Sequence, residues 1–217
     1  MNLVNAVLKN SNDPQIQSLE IQNPIQLKDQ LLQKETILDI KAKDDQGQLF
    51  NIELQACYHV NFRERVLYYI AKVYSKELLE GDDYSKLQPV ISIVFTKFPI
   101  RPNHPEILFD TFELRSKFDP DQIYTNHIKI YCIYVPDQLD EVLLQNPELY
   151  CWLKLLNYPD KTSEAEMEQI AATYPQIEEA FETAKEFLEN PANQEFIEGR
   201  RKFQMVQRAI TNTNLEE

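Results

Sequence analysis

Residues 37–56, ILDIKAKDDQGQLFNIELQA, constrain this chain more than any other stretch. Side chains alternate across a β-strand, so parity decides which residues share a face. In the first run Leu38, Ile40 and Ala42 fall on one side, and Ile37, Asp39, Lys41 and Lys43 on the other. In the second run Phe50, Ile52, Leu54 and Ala56 alternate with Leu49, Asn51, Glu53 and Gln55. Asp45-Gln46-Gly47 between them reads as a three-residue hairpin loop, with Gly47 at the position that needs a positive φ. That loop puts both apolar sets on one side and sets Asp39 opposite Glu53. A loop one residue longer would set Asp39 against Ile52 and turn one apolar face into water, so the hydrophobic pattern selects the register.

Directly opposed Cβ atoms in such a ribbon stand about 4.5–5.5 Å apart. Two carboxylates that close repel unless a cation lies between them. A hard divalent ion with oxygen ligands and retained waters, Mg²⁺ or Mn²⁺, suits the arrangement. It would orient a water and neutralise charge developing on a phosphate. Gln55 can hydrogen-bond that water or a phosphate oxygen, and Lys41, two residues from Asp39, can supply positive charge. Polar residues on one face of a hairpin are ordinarily its solvated face, and parity alone leaves that reading open.

The rest of the composition narrows the chemistry by exclusion. Three glycines in 217 residues leave no Gly-rich phosphate loop. Cys57, Cys132 and Cys151 are widely spaced in apolar surroundings and read as buried free thiols of a reducing compartment. No CxxC or HExxH occurs, which argues against structural zinc and zincin chemistry. The N-terminus lacks the pattern of a signal peptide and no apolar run is long enough to span a bilayer, so the expectation is a cytoplasmic protein with no membrane contact. The net charge of −13 is unevenly spread. Residues 1–135 carry 15 basic and 18 acidic side chains, whereas residues 136–217 carry 7 and 17. The first two-thirds is therefore close to neutral, and nucleic-acid contact there would be local and salt-sensitive.

Periodicity lays out an α/β chain. A helix covers residues 2–9, a short strand 18–22, and the hairpin 37–56. Residues 62–80 read as an amphipathic helix with Phe62, Val66, Tyr69, Ile70, Val73 and Tyr74 on one stripe, Asn61 as N-cap and Gly81 as C-cap. Strands are expected at 90–95, where VISIVF reads as buried on both faces, at 107–114 and at 128–135. From residue 138 the pattern is helical, over 138–156, about 163–189 and about 192–210, punctuated by Pro159, Pro175 and Pro191. The expectation is a core over 1–135 with a mixed sheet of four or five strands and flanking helices. An acidic helical region over 136–217 either packs on that core or mediates self-association.

The run Lys34 to Gln55, with Leu38-Asp39, a Gly-containing turn and Ile52-Glu53-Leu54-Gln55, resembles the nuclease core of the PD-(D/E)XK family transposases, the recombination-promoting nuclease group. The next segment resembles theirs too, in Arg65, Leu67, Tyr68, Tyr69, Lys72, Tyr74, Gly81, Asp82, Tyr84, Leu87, Val90 and the ISI run at 91–93. The resemblance implies a restriction-endonuclease-like fold and Mg²⁺-dependent (or Mn²⁺-dependent) endonuclease cleavage of DNA. It assigns Asp39 and Glu53 as metal-binding carboxylates and the Leu54 carbonyl as a further ligand. Gln55 stands in the place of the superfamily's lysine. It also implies a helical segment ahead of the one that opens this chain. A second reading therefore stands beside the enzyme: a nuclease-like protein without cleavage, which binds DNA, forms a homo-oligomer or pairs with a full-length relative.

Other basic residues are weaker candidates. Arg63 and Arg65 read either as phosphate contacts or as surface ion-pair partners of Glu64 or Glu77. Lys97 and Arg101 flank a Pro-rich loop and are candidates to line a DNA channel. His59, His104 and His127 are scattered and suggest no catalytic constellation. Tyr68, Tyr69 and Tyr74 read as helix packing rather than a base-stacking platform.

Overall fold

The structure is a computed structural model that describes residues 1–22, 37–55, 58, 60–139, 146–157, 164–194 and 198. Its order of elements is α1 (Asn2–Asn10), β1 (Leu19–Ile21), β2 (Ile37–Asp44), β3 (Leu49–Gln55), α2 (Phe62–Ser75), β4 (Val90–Thr96), β5 (Phe109–Arg115), β6 (Ile123–Tyr134), α3 (Pro147–Asn157), α4 (Glu164–Thr173) and α5 (Pro175–Glu189). Short 3₁₀ turns occupy Tyr84–Lys86 and Pro191–Asn193. Contacts divide the chain into two compact units. One is Ile16–Tyr134 with Met1, and the other is Asn2–Gln15 with the residues from Val135 onward.

The first unit is a six-stranded mixed sheet in the order β1-β2-β3-β4-β6-β5. β1, β2 and β3 form an antiparallel meander, β3 and β4 are parallel, β4 and β6 are parallel, and β5 returns antiparallel on β6. A parallel pair needs a crossover, and α2 supplies it between β3 and β4. The sheet has six strands where four or five were expected, because the short β1 pairs with β2 at one edge.

β2 and β3 carry the expected register. Asp39 faces Glu53, Lys41 faces Asn51 and Lys43 faces Leu49. Asp44 N donates to Gln48 O at 3.0 Å, which closes a three-residue loop, and Gly47 has φ of +89°. β4 is buried along its whole length, as its apolar run implied, although it also carries the polar side chains of Ser92 and Thr96.

Helix α2 packs Phe62, Val66 and Ile70, one turn apart, onto Val90, Val94, Ile100 and Cys132. It ends at Ser75, five residues before the expected end. Past it, Leu79 N is taken by Asp82 Oδ2 at 2.9 Å, a side-chain bond that competes with helical pairing. Gly81 has a positive φ but stands in this later turn, and Asn61 flanks the helix without a side-chain cap bond. Tyr68 and Tyr69 point into solvent, contrary to the packing role expected of them, whereas Tyr74 is half-buried with its hydroxyl 3.1 Å from His127 Nδ1.

The second unit is helical. Asn146 joins α1 to α3, donating through Nδ2 to Ala6 O at 2.9 Å and accepting at Oδ1 from Glu148 N at 3.0 Å. The helical stretch expected over about 163–189 is broken in two, with Pro175 opening α5. Parts of the expected helices at 138–156 and 192–210 lie outside the described residues. Among the described residues no helix is long and apolar enough to cross a membrane.

Candidate active site

Alternation places Asn51, Glu53 and Gln55 on one face of β3, and that face is not solvated. All three are buried, Glu53 to 3% and Gln55 to 2% exposure. The solvated face that parity left open is thus a covered one. The registers extend it across the sheet, because Asn51 lies beside Ser92 and Gln55 beside Thr96 on β4. Helix α2 lies over the same side, since the side chains it meets, Val90, Val94 and Cys132, share the parity of Ser92 and of its β6 partner Ile130. A buried polar row beneath an apolar helix is costly unless its members find partners.

Arg65 is the partner that α2 provides. It lies three residues after Phe62 and one before Val66, on the inner edge of the helix. Its Nη2 donates to Glu53 Oε1 at 2.9 Å and also to Gln55 Oε1. Its guanidinium carbon stands 6.0 Å from the centre of the Phe62 ring. The expected ion-pair partners Glu64 and Glu77 give way to a carboxylate on the neighbouring strand. Arg65 Nε and Ser92 Oγ are buried with no hydrogen-bond partner among the described residues.

The ladder fixes the pairing type at the two acids. Gln55 O accepts from Lys97 N and therefore points away from β2, while Asp44 N donates across the ribbon to Gln48 O. Counting along the register makes Asp39 and Glu53 a non-hydrogen-bonded pair, the closer kind, with Cα atoms ordinarily about 4.5 Å apart. The same alternation turns the Leu54 carbonyl toward β2. The side chain of Asp39 lies outside the described residues, as does His59.

The other candidates are placed as follows. Lys41 is exposed on β2, and its carbonyl accepts from Gln22 N at 2.8 Å. Lys97 follows β4 directly, and its bond to Gln55 O at 3.1 Å sets it at the Gln55 end of the row. Arg63 Nη2 donates to Ile100 O at 2.8 Å, and Arg101 pairs with Asp110 Oδ2 at 2.7 Å. His104 pairs with Glu106 on the surface at 3.1 Å. Cys132 is a buried free thiol on the helix side of the sheet. Burial, and then the charge of Asp110, push its pKa up to about 12, so it is no nucleophile at neutral pH. Cys151 is a half-buried cysteine, and Cys57 lies outside the described residues.

Residues 1–213 match the family model of the PD-(D/E)XK nuclease family transposases. The chain belongs to that family. The mixed six-stranded sheet with its helices agrees with the restriction-endonuclease-like fold expected of a member. No curated protein and no solved structure matches the chain. Nucleases of the PD-(D/E)XK type generally use divalent metals. Among the described residues no cluster of three or more His, Cys, Asp or Glu could hold an ion. Two oxygens, from Glu53 and Gln55, nevertheless already converge on one cationic nitrogen, and the register adds Asp39. Mg²⁺ characteristically takes one or two carboxylates, keeps waters and shares substrate phosphates, so this donor set fits it better than an all-protein cage would.

Asn51 was read on this face; Ser92 and Thr96 were missed as its continuation. Their sequence signal is two polar residues four apart, hence on one face, in a run that otherwise reads as core.

Proposed function

We propose that this chain is a divalent-metal-dependent DNA endonuclease that hydrolyses phosphodiester bonds with Asp39, Glu53 and Gln55 at its centre. The observation that carries the proposal is the convergence of the Glu53 and Gln55 oxygens on one cation, opposite Asp39 in the register. Asp39 and Glu53 would hold Mg²⁺ or Mn²⁺, with the Leu54 carbonyl as a further donor through its second lone pair. The ion would polarise a phosphoryl oxygen and lower the pKa of a bound water.

The protein's own groups do the rest. Glu53, buried beneath α2, presents its carboxylate in a low-dielectric setting where charge interactions are strong. Gln55 presents an amide oxygen there that accepts from and orients a water, while its NH₂ can donate to a phosphate oxygen. Lys41, Lys97, Arg63 and Arg101 would attract the DNA backbone. Residues 1–135 act as the nuclease core. The acidic region 136–217 would repel DNA and serves instead in self-association or in pairing with a relative. The setting is the cytoplasm.

The test is nicking of supercoiled plasmid by purified protein with Mg²⁺ or Mn²⁺, beside Asp39→Ala and Glu53→Ala. Metal-dependent nicking that both substitutions abolish supports the enzyme. Equal inertness of all three proteins favours the second reading, a nuclease-like module that binds DNA or a relative without cutting. The engagement of Glu53 and Gln55 by Arg65 is the observation on that side.

A further inference from the structure

We infer that Arg65 is the built-in counter-cation of the Glu53–Gln55 position, and that a divalent ion binds there by exchange with its guanidinium. The inference rests on the reading of Glu53 as a metal ligand and adds a residue to it.

Four features of the site argue for exchange. One nitrogen, Nη2, serves both oxygens, so the guanidinium occupies a single point where two hard donors meet. A guanidinium only donates, so Gln55 must present its amide oxygen rather than its NH₂. Both side chains are therefore already posed as a cation's ligands. Next, the Glu53 side chain is 4% exposed and that of Arg65 is 21% exposed. A carboxylate so buried needs a compensating charge, and without metal Arg65 provides one. Then, Arg65 engages the carboxylate through one nitrogen rather than as a two-pronged fork, while its Nε has no partner among the described residues. A single-nitrogen grip is the weaker arrangement and the easier one to give up. Finally, Arg65 reaches the row from α2 whereas Glu53 and Gln55 belong to β3, so the guanidinium can turn aside without disturbing the strand that carries the ligands.

Exchange makes Arg65 and metal competitors, and competition is reciprocal. Calorimetric titration of the full chain with Mn²⁺, without DNA, reads it directly. Arg65→Ala is expected to bind Mn²⁺ on the order of 10- to 100-fold more tightly than wild type, the range that loss of a hydrogen bond to a charged group implies. Arg65→Lys, which keeps the charge, stays within a few-fold of wild type. The rise in Tm that Mn²⁺ produces is a readout that a merely structural role would not move. Arg65→Ala melts lower than wild type without metal, and saturating Mn²⁺ raises its Tm by more than it raises that of wild type. If Arg65→Ala does not fold, Arg65→Gln, which keeps a donor and loses the charge, carries the same expectation. Mn²⁺ affinity no tighter in the neutral variants than in wild type overturns the exchange. Glu53→Gln separates this from the underlying reading. It should abolish Mn²⁺ binding whatever stands at position 65, and wild-type affinity in Glu53→Gln would remove Glu53 as a ligand altogether.

Discussion

Arg65 Nη2 stands 2.9 Å from Glu53 Oε1, and that bond ties helix α2 to strand β3 across a buried polar row. Breaking a buried ion pair from one side strands the other charge, which costs about 3–5 kcal/mol for full burial and less where water reaches one partner. Glu53 is the more buried of the two. Arg65→Ala should therefore destabilise the metal-free protein by about 2–4 kcal/mol. The double variant with Glu53→Gln should lose less than the sum of the two single changes. Urea unfolding of the four proteins completes the cycle, and additive losses would mean the pair is not coupled.

Gly47 sets the hairpin and hence the facing of Asp39 and Glu53. Its φ is +89°, and a Cβ there would meet Gln88 Oε1 at 3.2 Å. Gly81 has the same φ with nothing within 4 Å of such a Cβ. Both Gly→Ala changes incur the left-handed backbone penalty of about 1–2 kcal/mol. Gly47→Ala should incur more, because the Gln88 side chain must also give way. Chemical denaturation of the two variants side by side should show Gly47→Ala as the less stable.

Cys132 gives a pH signature. Burial, and then the Asp110 charge, push its thiol from the ordinary 9.0 up to about 12. A raised thiol pKa means that the unfolded chain loses its proton first as pH rises. The contribution is complete below about pH 9 and fades toward pH 12 at up to about 1.4 kcal/mol per pH unit. Stability measured between pH 8 and pH 10.5 should fall more steeply for wild type than for Cys132→Ala. In the native state at pH 8, a thiol reagent should label Cys151 well before Cys132.

The register of β2 on β3 was legible because a period of two, one short loop and two apolar sets leave a single consistent pairing. Burial of the Glu53 face was not legible. It depends on where the β3–β4 crossover lays α2, and nothing within the hairpin encodes that. Arg65 shows the same limit, since the sequence offered nearby Glu64 and Glu77 as partners while its real one, Glu53, belongs to another element. The end of α2 was misplaced because Gly81 is a strong stop signal, whereas Asp82, which takes the Leu79 N–H, is an ordinary acid in the sequence.

Anomalous diffraction at the manganese edge, from crystals grown with Mn²⁺, tests whether Asp39 and Glu53 hold one divalent cation between them. A peak is expected about 2.1 Å from carboxylate oxygens of both Asp39 and Glu53, with Gln55 beside it and Arg65 turned away from Glu53. A peak elsewhere, or Arg65 still bonded to Glu53 at saturating Mn²⁺ with no peak between the two acids, would contradict it.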